Sequence, residues 1–332
     1  MKRITLIVLL FALTVIAAGA KTIEKCTYRF AADGDRELYL DLYKSSDTIQ
    51  PCVIYAFGGG FAAGTRAEKF DVRYYKYLVS QGFKVVAVDY RLGLKPLVDN
   101  PTQKVELTDF RSMLINAVDM ATEDFLDATA YVVANAESLG VDPSKIVACG
   151  SSAGAITVYQ SEYEICNLSE AAKVLPEGFN YAGVVGFAGA VLAKSGKFAF
   201  KSAPCPMLLF HGNADSNVPY DKMSLFGYSF YGSQQIVKQL NKTGATYWFY
   251  DADNVDHSLA GTPMSRNREE ISTFLNRVVL GGKKLQVHQT VVDTTLPEAK
   301  KRFKIGDYIK ANFYRPDPSV SRQIVAAGNE AN

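Results

Sequence analysis

The sequence predicts an α/β fold, with a mainly parallel central sheet and helices on both of its faces. Three observations lead there. Short apolar runs rich in β-branched residues recur without polar alternation, the pattern of strands buried on both sides. Segments of helix length separate these runs. Glycine stands at many of the junctions, at positions 58–60, 82, 140, 150, 244 and 281.

In chain order, Glu37 to Tyr43 alternates at period two and reads as an early, half-exposed strand. Residues 51–57, Pro-Cys-Val-Ile-Tyr-Ala-Phe, are the first continuous apolar run and end in three glycines. Residues 66–80 suit a helix before Gly82, and 83–90 are the second run. A longer helix is expected over 111–139, closing at Gly140. A turn at Asp142-Pro143 leads into the third run at 145–150, and a helix is expected over 152–164. Residues 206–211 and 245–250 are the fourth and fifth runs. Helices at 233–243 and 265–280 complete the alternation. No repeat or linker interrupts this pattern, so 21–282 read as one domain. Residues 283–332, rich in Lys and Thr, are expected to be a C-terminal extension of no assigned role, with a candidate extra strand at Val287 to Val292.

The N-terminus is set aside from the fold. Lys2 and Arg3 precede an apolar run from Ile4 to Ile16 and the small residues Ala18-Gly19-Ala20. Residues 1–20 are therefore expected to be a cleavable signal peptide, and the mature protein to be secreted or periplasmic. The run is short for a permanent span, with an uncleaved anchor as the alternative. Over the whole chain of 332 residues, 36 Lys and Arg face 34 Asp and Glu, a net charge of +2, which excludes a global basic field for nucleic acid or anionic lipid. Hydrophobic residues make up 48%, enough to bury a large core. Five cysteines, Cys26, Cys52, Cys149, Cys166 and Cys205, show no zinc-type spacing. After export they would form at most one or two disulfides.

Residues 148–155 read Ala-Cys-Gly-Ser-Ser-Ala-Gly-Ala and contain G-x-S-x-G centred on Ser152, between a buried run and a helix. That setting gives the motif its chemical meaning: the sharp turn projects the central hydroxyl at the sheet's carboxyl edge, above a helix N-terminus. Ser152 is the candidate nucleophile, and Ser151 only helps to build the turn. A serine needs a base. The chain has three histidines, His211, His257 and His288. His257 lies in the loop after the fifth run, within reach of that edge, and is the candidate base. His211 reads as structural and His288 lies in the tail. Asp215, after the fourth run, is the candidate orienting acid, with Asp251, Asp253 and Asp256 as rivals. Ser152, Asp215, His257 is the chain order associated with nucleophile elbows. The backbone N–H groups of Gly59, Gly60 and Ala153 are candidate oxyanion donors. No Gly-Lys-Ser/Thr follows the three glycines, so they are not a P-loop.

Together these stretches resemble the α/β-hydrolase fold, and within it the serine carboxylesterases of the hormone-sensitive-lipase and acetyl or feruloyl esterase groups. The matching stretches are Phe57 to Gly64, Val88 to Leu92, Gly140 to Ile146, the elbow, His211 to Pro219, and Asp256-His257. The chain departs from the pattern at Phe57, where the family carries His, and at Ala155, where it carries a second glycine. The resemblance implies ester hydrolysis through an acyl-enzyme without a metal or organic cofactor, on a small-molecule or carbohydrate ester such as an acetyl or feruloyl sugar. Phe61, Phe226, Tyr228 and Tyr231 are candidate pocket residues, the last three as an aromatic rim. A serine exopeptidase of the same fold and a non-catalytic binding protein on this scaffold are the alternatives.

Overall fold

The computed structural model describes residues 22–33, 36–100, 105–194 and 197–312. The expected signal peptide at 1–20 lies outside them, as does the chain after 312. Nine strands form the main sheet: β1 (Glu24–Asp33), β2 (Arg36–Lys44), β3 (Gln50–Ala56), β4 (Lys84–Val88), β5 (Val141–Ser151), β6 (Gly183–Phe187), β8 (Met207–Gly212), β11 (Tyr247–Asp253) and β12 (Gln286–Val292). Their spatial order is β1-β2-β4-β3-β5-β6-β8-β11-β12. The two pairings at the β1–β2 end are antiparallel, and every pairing from β4 to β12 is parallel. Parallel strands need crossovers, and the helices that supply them pack against the sheet.

The five apolar runs all fall in parallel strands, because a strand covered on both faces buries most of its side chains. Ile54, Val86, Ile146, Val185, Leu209 and Phe249 lie in the resulting core. Asp142 turns the start of β5 by accepting hydrogen bonds from the N–H and hydroxyl of Ser144. The ladder to β3 resumes at Ile146 opposite Cys52. The principal helices are α1 (Lys69–Ser80), α2 (Leu107–Ala134), α3 (Ala153–Asn167), α4 (Ser233–Thr243), α5 (Arg268–Thr273), which runs on as a π-helical turn Phe274–Leu280, and α6 (Ile305–Asn312). The helix expected over 111–139 breaks at Asn135, and a short second helix ends at Gly140 in left-handed geometry. The fully buried Asp124 of α2 takes ion pairs from Arg36 and Arg91, which fixes this helix to β2 and to the segment after β4.

Residues 226–231, which hold the expected aromatic rim, belong to a hairpin. Phe226 and Gly227, at φ 46° and 87°, are the turn of a hairpin between β9 (Lys222–Leu225) and β10 (Tyr228–Gly232). With β7 (Ala190–Ala193) this hairpin makes a separate three-stranded antiparallel sheet. The expected extension is corrected: residues 283–312 are not an appendage. β12 runs parallel to β11 from Gln286 opposite Tyr247 to Val292 opposite Asp253, so the boundary at 282 cuts one continuous sheet. All five cysteines are free thiols, four of them buried.

Candidate active site

The main sheet delivers three loops to one edge. At the end of β5, Ser152 adopts φ 52° and ψ −116°, a strained conformation that a serine holds only where its surroundings demand it. The flanking glycines follow from space. A Cβ on Gly150 would lie 2.2 Å from the Gly154 carbonyl oxygen, and one on Gly154 would lie 2.1 Å from that of Ala56. The elbow is thus pressed between its own helix and β3, and only glycine fits at either side.

Ser152 Oγ lies 2.8 Å from His257 Nε2, and His257 Nδ1 lies 2.7 Å from Asp215 Oδ2. The three side chains therefore form a continuous relay from β5, the loop after β8 and the turn after β11. The other Asp215 oxygen accepts from the backbone N–H groups of Asn217 and Val218, at 2.7 and 2.9 Å. Burial pushes the Asp215 carboxyl up, yet hydrogen bonds from His211 and His257 outweigh it and hold the carboxyl well below the usual carboxylate range. An ionised Asp215 is what stabilises a protonated His257 ring.

The rival acids are engaged elsewhere. Asp251 binds His288 and Tyr220, Asp253 binds Asn213 and Lys301, and Asp256 accepts from the Ser258 N–H at the start of the histidine turn. His211 supports the acid directly. Its ring is fully buried, with Nε2 3.3 Å from Asp215 Oδ2 and Nδ1 2.8 Å from Ser233 Oγ. Ser151 does more than shape the elbow: its hydroxyl donates to the Ala260 carbonyl at 2.7 Å, tying the end of β5 to the turn that carries His257. Asn213 joins the acid and histidine loops through Asp253 and the Asn254 N–H. Gly212 lets the loops meet, since a Cβ there would lie 2.1 Å from the Val255 carbonyl oxygen.

The glycine loop after β3 completes the edge. A Cβ on Gly58 would touch Ser151 Oγ and Ser152 Cβ, which places this loop in contact with Ser152. Gly59 and Gly60 have φ of 130° and 63°. A side chain on Gly59 would collide with the Ala63 carbonyl, and that tight turn is closed by Ala62 and Ala63 donating to the Gly59 oxygen. Ala153 begins α3, so its N–H has no partner within the helix. Phe57 replaces a polar support with an aromatic one. It stacks on Tyr90 with centroids 4.4 Å apart, and the Tyr90 hydroxyl donates to the Phe57 carbonyl at 2.7 Å.

Ser152, His257 and the three glycines line a cavity of about 630 Å³. Phe61, Leu114, Ile156, Val218, Met223 and Met264 supply apolar wall, and Asp71 and Glu68 supply carboxyls. The aromatic rim is corrected: Phe61 lines the cavity, whereas Phe226, Tyr228 and Tyr231 are not among its lining residues. Strand alternation turns Tyr231 to the face opposite Phe230, whereas Tyr228 and Phe226 lie beyond Phe230, towards the tip of the hairpin. Tyr231 is turned toward Phe198 and Tyr228 toward Arg111, Phe226 is exposed at the hairpin tip, and Phe230 is the β10 residue that reaches the cavity. A more open depression of about 690 Å³ between β1 and α2 lies away from Ser152. Among the described residues no group of three or more His, Cys, Asp or Glu side chains is arranged to hold a metal ion. No helix among them is long and apolar enough to cross a membrane.

Residues 38–159, from β2 into α3, match the family model described as BD-FAE. Fumonisin B1 esterase of Sphingopyxis macrogoltabida is 30% identical over 132 residues, 38% of this chain and 23% of that protein. Juvenile hormone esterase of Heliothis virescens is 29% identical over 112 residues, 34% of this chain and 18% of that protein. This chain thus matches less than a quarter of the length of either relative. In three dimensions, esterase 2 of Thermogutta terrifontis in its apo form superposes with a TM-score of 0.53 at 21% identity, covering 79% of this chain and 96% of that one. The sheet order, the elbow at Ser152 and these matches agree: the chain has the α/β-hydrolase fold and resembles the serine carboxylesterases of the hormone-sensitive-lipase and feruloyl esterase groups.

Proposed function

We propose that this protein hydrolyses carboxylic esters through an acyl-enzyme on Ser152. The observation that carries the reading is the unbroken relay of 2.8 and 2.7 Å from Ser152 through His257 to Asp215. His257 Nε2 takes the Ser152 proton as Oγ attacks the ester carbonyl. The carbonyl oxygen gains negative charge and is held by the N–H groups of Gly59, Gly60 and Ala153, each such donor being worth roughly 10²–10³ in rate. Collapse expels the alcohol, which leaves with the proton from His257. Water then attacks the acyl-enzyme by the same route, releasing the acid and restoring Ser152. Asp215 stays ionised throughout and fixes the imidazole by its Nδ1.

The substrate is proposed to be an acetyl or feruloyl ester, including such esters on carbohydrate, in a cavity that is apolar with a few polar groups. Residues 1–20 are proposed as the signal that exports the protein. N-terminal sequencing of protein recovered outside the cytoplasm tests this and should start close to Lys21. The binding-protein alternative requires a degraded relay and is disfavoured by these distances. The deciding experiment is hydrolysis of p-nitrophenyl acetate and butyrate by the wild type and by Ser152→Ala. Turnover should fall by about 10⁴-fold or more in the variant. Equal, near-background rates in both proteins would sink the esterase reading. Cleavage of aminoacyl arylamides in place of esters would replace it with the peptidase one.

A further inference from the structure

The chain beyond the expected domain boundary returns to the candidate active site. After β12, the Ala299 N–H donates to the Asn254 side chain at 3.2 Å and Lys301 pairs with Asp253 at 2.7 Å, both just upstream of His257. Phe303, Ile305 and Tyr308 then line the cavity. Tyr308 on α6 is buried, with its ring 6.2 Å from those of Phe110 and Phe303. Its hydroxyl stands over the glycine loop, 3.7 Å from where a Cβ on Gly60 would be. Burial pushes the phenol above its usual value, so it stays neutral in the working range of such a site.

The sides of the cavity follow from the chemistry. The departing oxygen must take its proton from His257 Nε2, so the alcohol portion lies toward the histidine turn, where Gly261 abuts Phe70. The carbonyl oxygen points into the glycine loop. This leaves the acyl chain the walls away from the histidine turn, and Tyr308, beside Gly60, is one of them. Resting on the esterase reading above, we infer that α6 is a fixed stopper on the acyl side of the cavity. Tyr308 is its specificity-determining residue, and the substrates are esters of acyl groups only a few carbons long, which selects the acetyl over the feruloyl half of that reading.

The test compares p-nitrophenyl acetate, butyrate and octanoate, then ethyl and octyl acetate, with wild type, Tyr308→Ala, Tyr308→Phe and Tyr308→Trp. Wild type should favour acetate and butyrate. Tyr308→Ala should raise the octanoate-to-acetate ratio of kcat/KM by about ten-fold or more, since each methylene admitted to an apolar pocket is worth roughly ten-fold or more. Tyr308→Phe should keep the wild-type ratio, because bulk sets the limit. Tyr308→Trp keeps the core filled and should lower butyrate against acetate, so the test survives if the alanine variant misfolds. The octyl-to-ethyl ratio should not move. An unchanged acyl ratio in both Tyr308→Ala and Tyr308→Trp overturns the inference, as does a response confined to the alcohol series. Labelling of Ser152 by short- and long-alkyl fluorophosphonates, read by mass spectrometry, separates the two levels. Labelling that follows the same size order supports the stopper. Ester turnover with no size response removes the stopper alone. No labelling by either probe together with no turnover removes the esterase reading and the stopper with it.

Discussion

Asp215 is buried, receives four hydrogen bonds or ring contacts and is ionised only because those contacts outweigh burial. Asp215→Asn keeps the shape but removes the charge and favours the wrong tautomer of His257. The expected loss in kcat is about 10⁴-fold with little change in KM. A loss below ten-fold, measured on p-nitrophenyl butyrate, would mean that another acid orients the ring. Ser151 supports a smaller prediction. Its bond to the Ala260 carbonyl holds the histidine turn against the elbow, and one neutral hydrogen bond is worth about 1 kcal/mol. Ser151→Ala should therefore lower kcat by about five-fold if that energy is fully expressed in positioning. An unchanged rate would reduce Ser151 to the turn-building role expected from sequence.

At the scale of elements, α1 carries a buried carboxyl on a face that meets the cavity. Burial raises Asp71 to about 6, against a smaller lowering by the Tyr55 hydroxyl. The folded state therefore holds this proton more tightly than the unfolded chain. Stability is greatest below the unfolded value of 3.8 and falls as pH rises towards about 6. The penalty above that window approaches about 3 kcal/mol. Asp71→Asn should raise Tm by several degrees at about pH 8 and have little effect at about pH 4. An equal shift at both values would point to packing instead of charge. The same scale shows how far the sequence could be read. Parallel strands bury both faces, so the runs at 51–57, 83–90, 145–150, 206–211 and 245–250 were visible as unbroken apolar segments. The relay was visible because it needs fixed residue types at strand ends and only three histidines compete. β7, β9 and β10 were not visible, being short, with β9 and β10 set by a two-residue turn at Phe226-Gly227 and β7 by its pairing with the distant β10 instead of by periodicity. Nor was the role of His211, whose ring is placed by Ser233 at the start of α4 as well as by Asp215 and Val218 of its own loop.

The candidate strand at Val287 to Val292 is β12, but its place in the main sheet and the chain's return to the cavity were hidden in the sequence, and they matter for the whole molecule. β12 alternates between exposed and half-buried residues, a pattern too weak to tell a ninth strand from a loose tail. Its place is fixed by partners far away in sequence. Seven residues pair in register with β11, His288 contacts Asp251 at 2.8 Å, and Gln289 accepts from the Trp248 indole at 3.0 Å. From there the chain runs to Tyr308 and closes one wall of the cavity. Removing everything after Gly282 would leave β11 as an edge with unpaired backbone groups beside the strand that feeds the histidine turn. It would also open the core around Phe110 to water. Such a truncation should melt at least several degrees below the full chain, become prone to aggregation and lose most ester turnover, because His257 sits on the loop that β11 ends in. Scanning calorimetry and light scattering on both forms test this. A truncated protein with an unchanged melt and unchanged turnover on acetate would return the segment to the status of an appendage. A truncated protein that folds and turns over acetate normally, yet gains octanoate, would separate the two roles, leaving the strand dispensable and the stopper real.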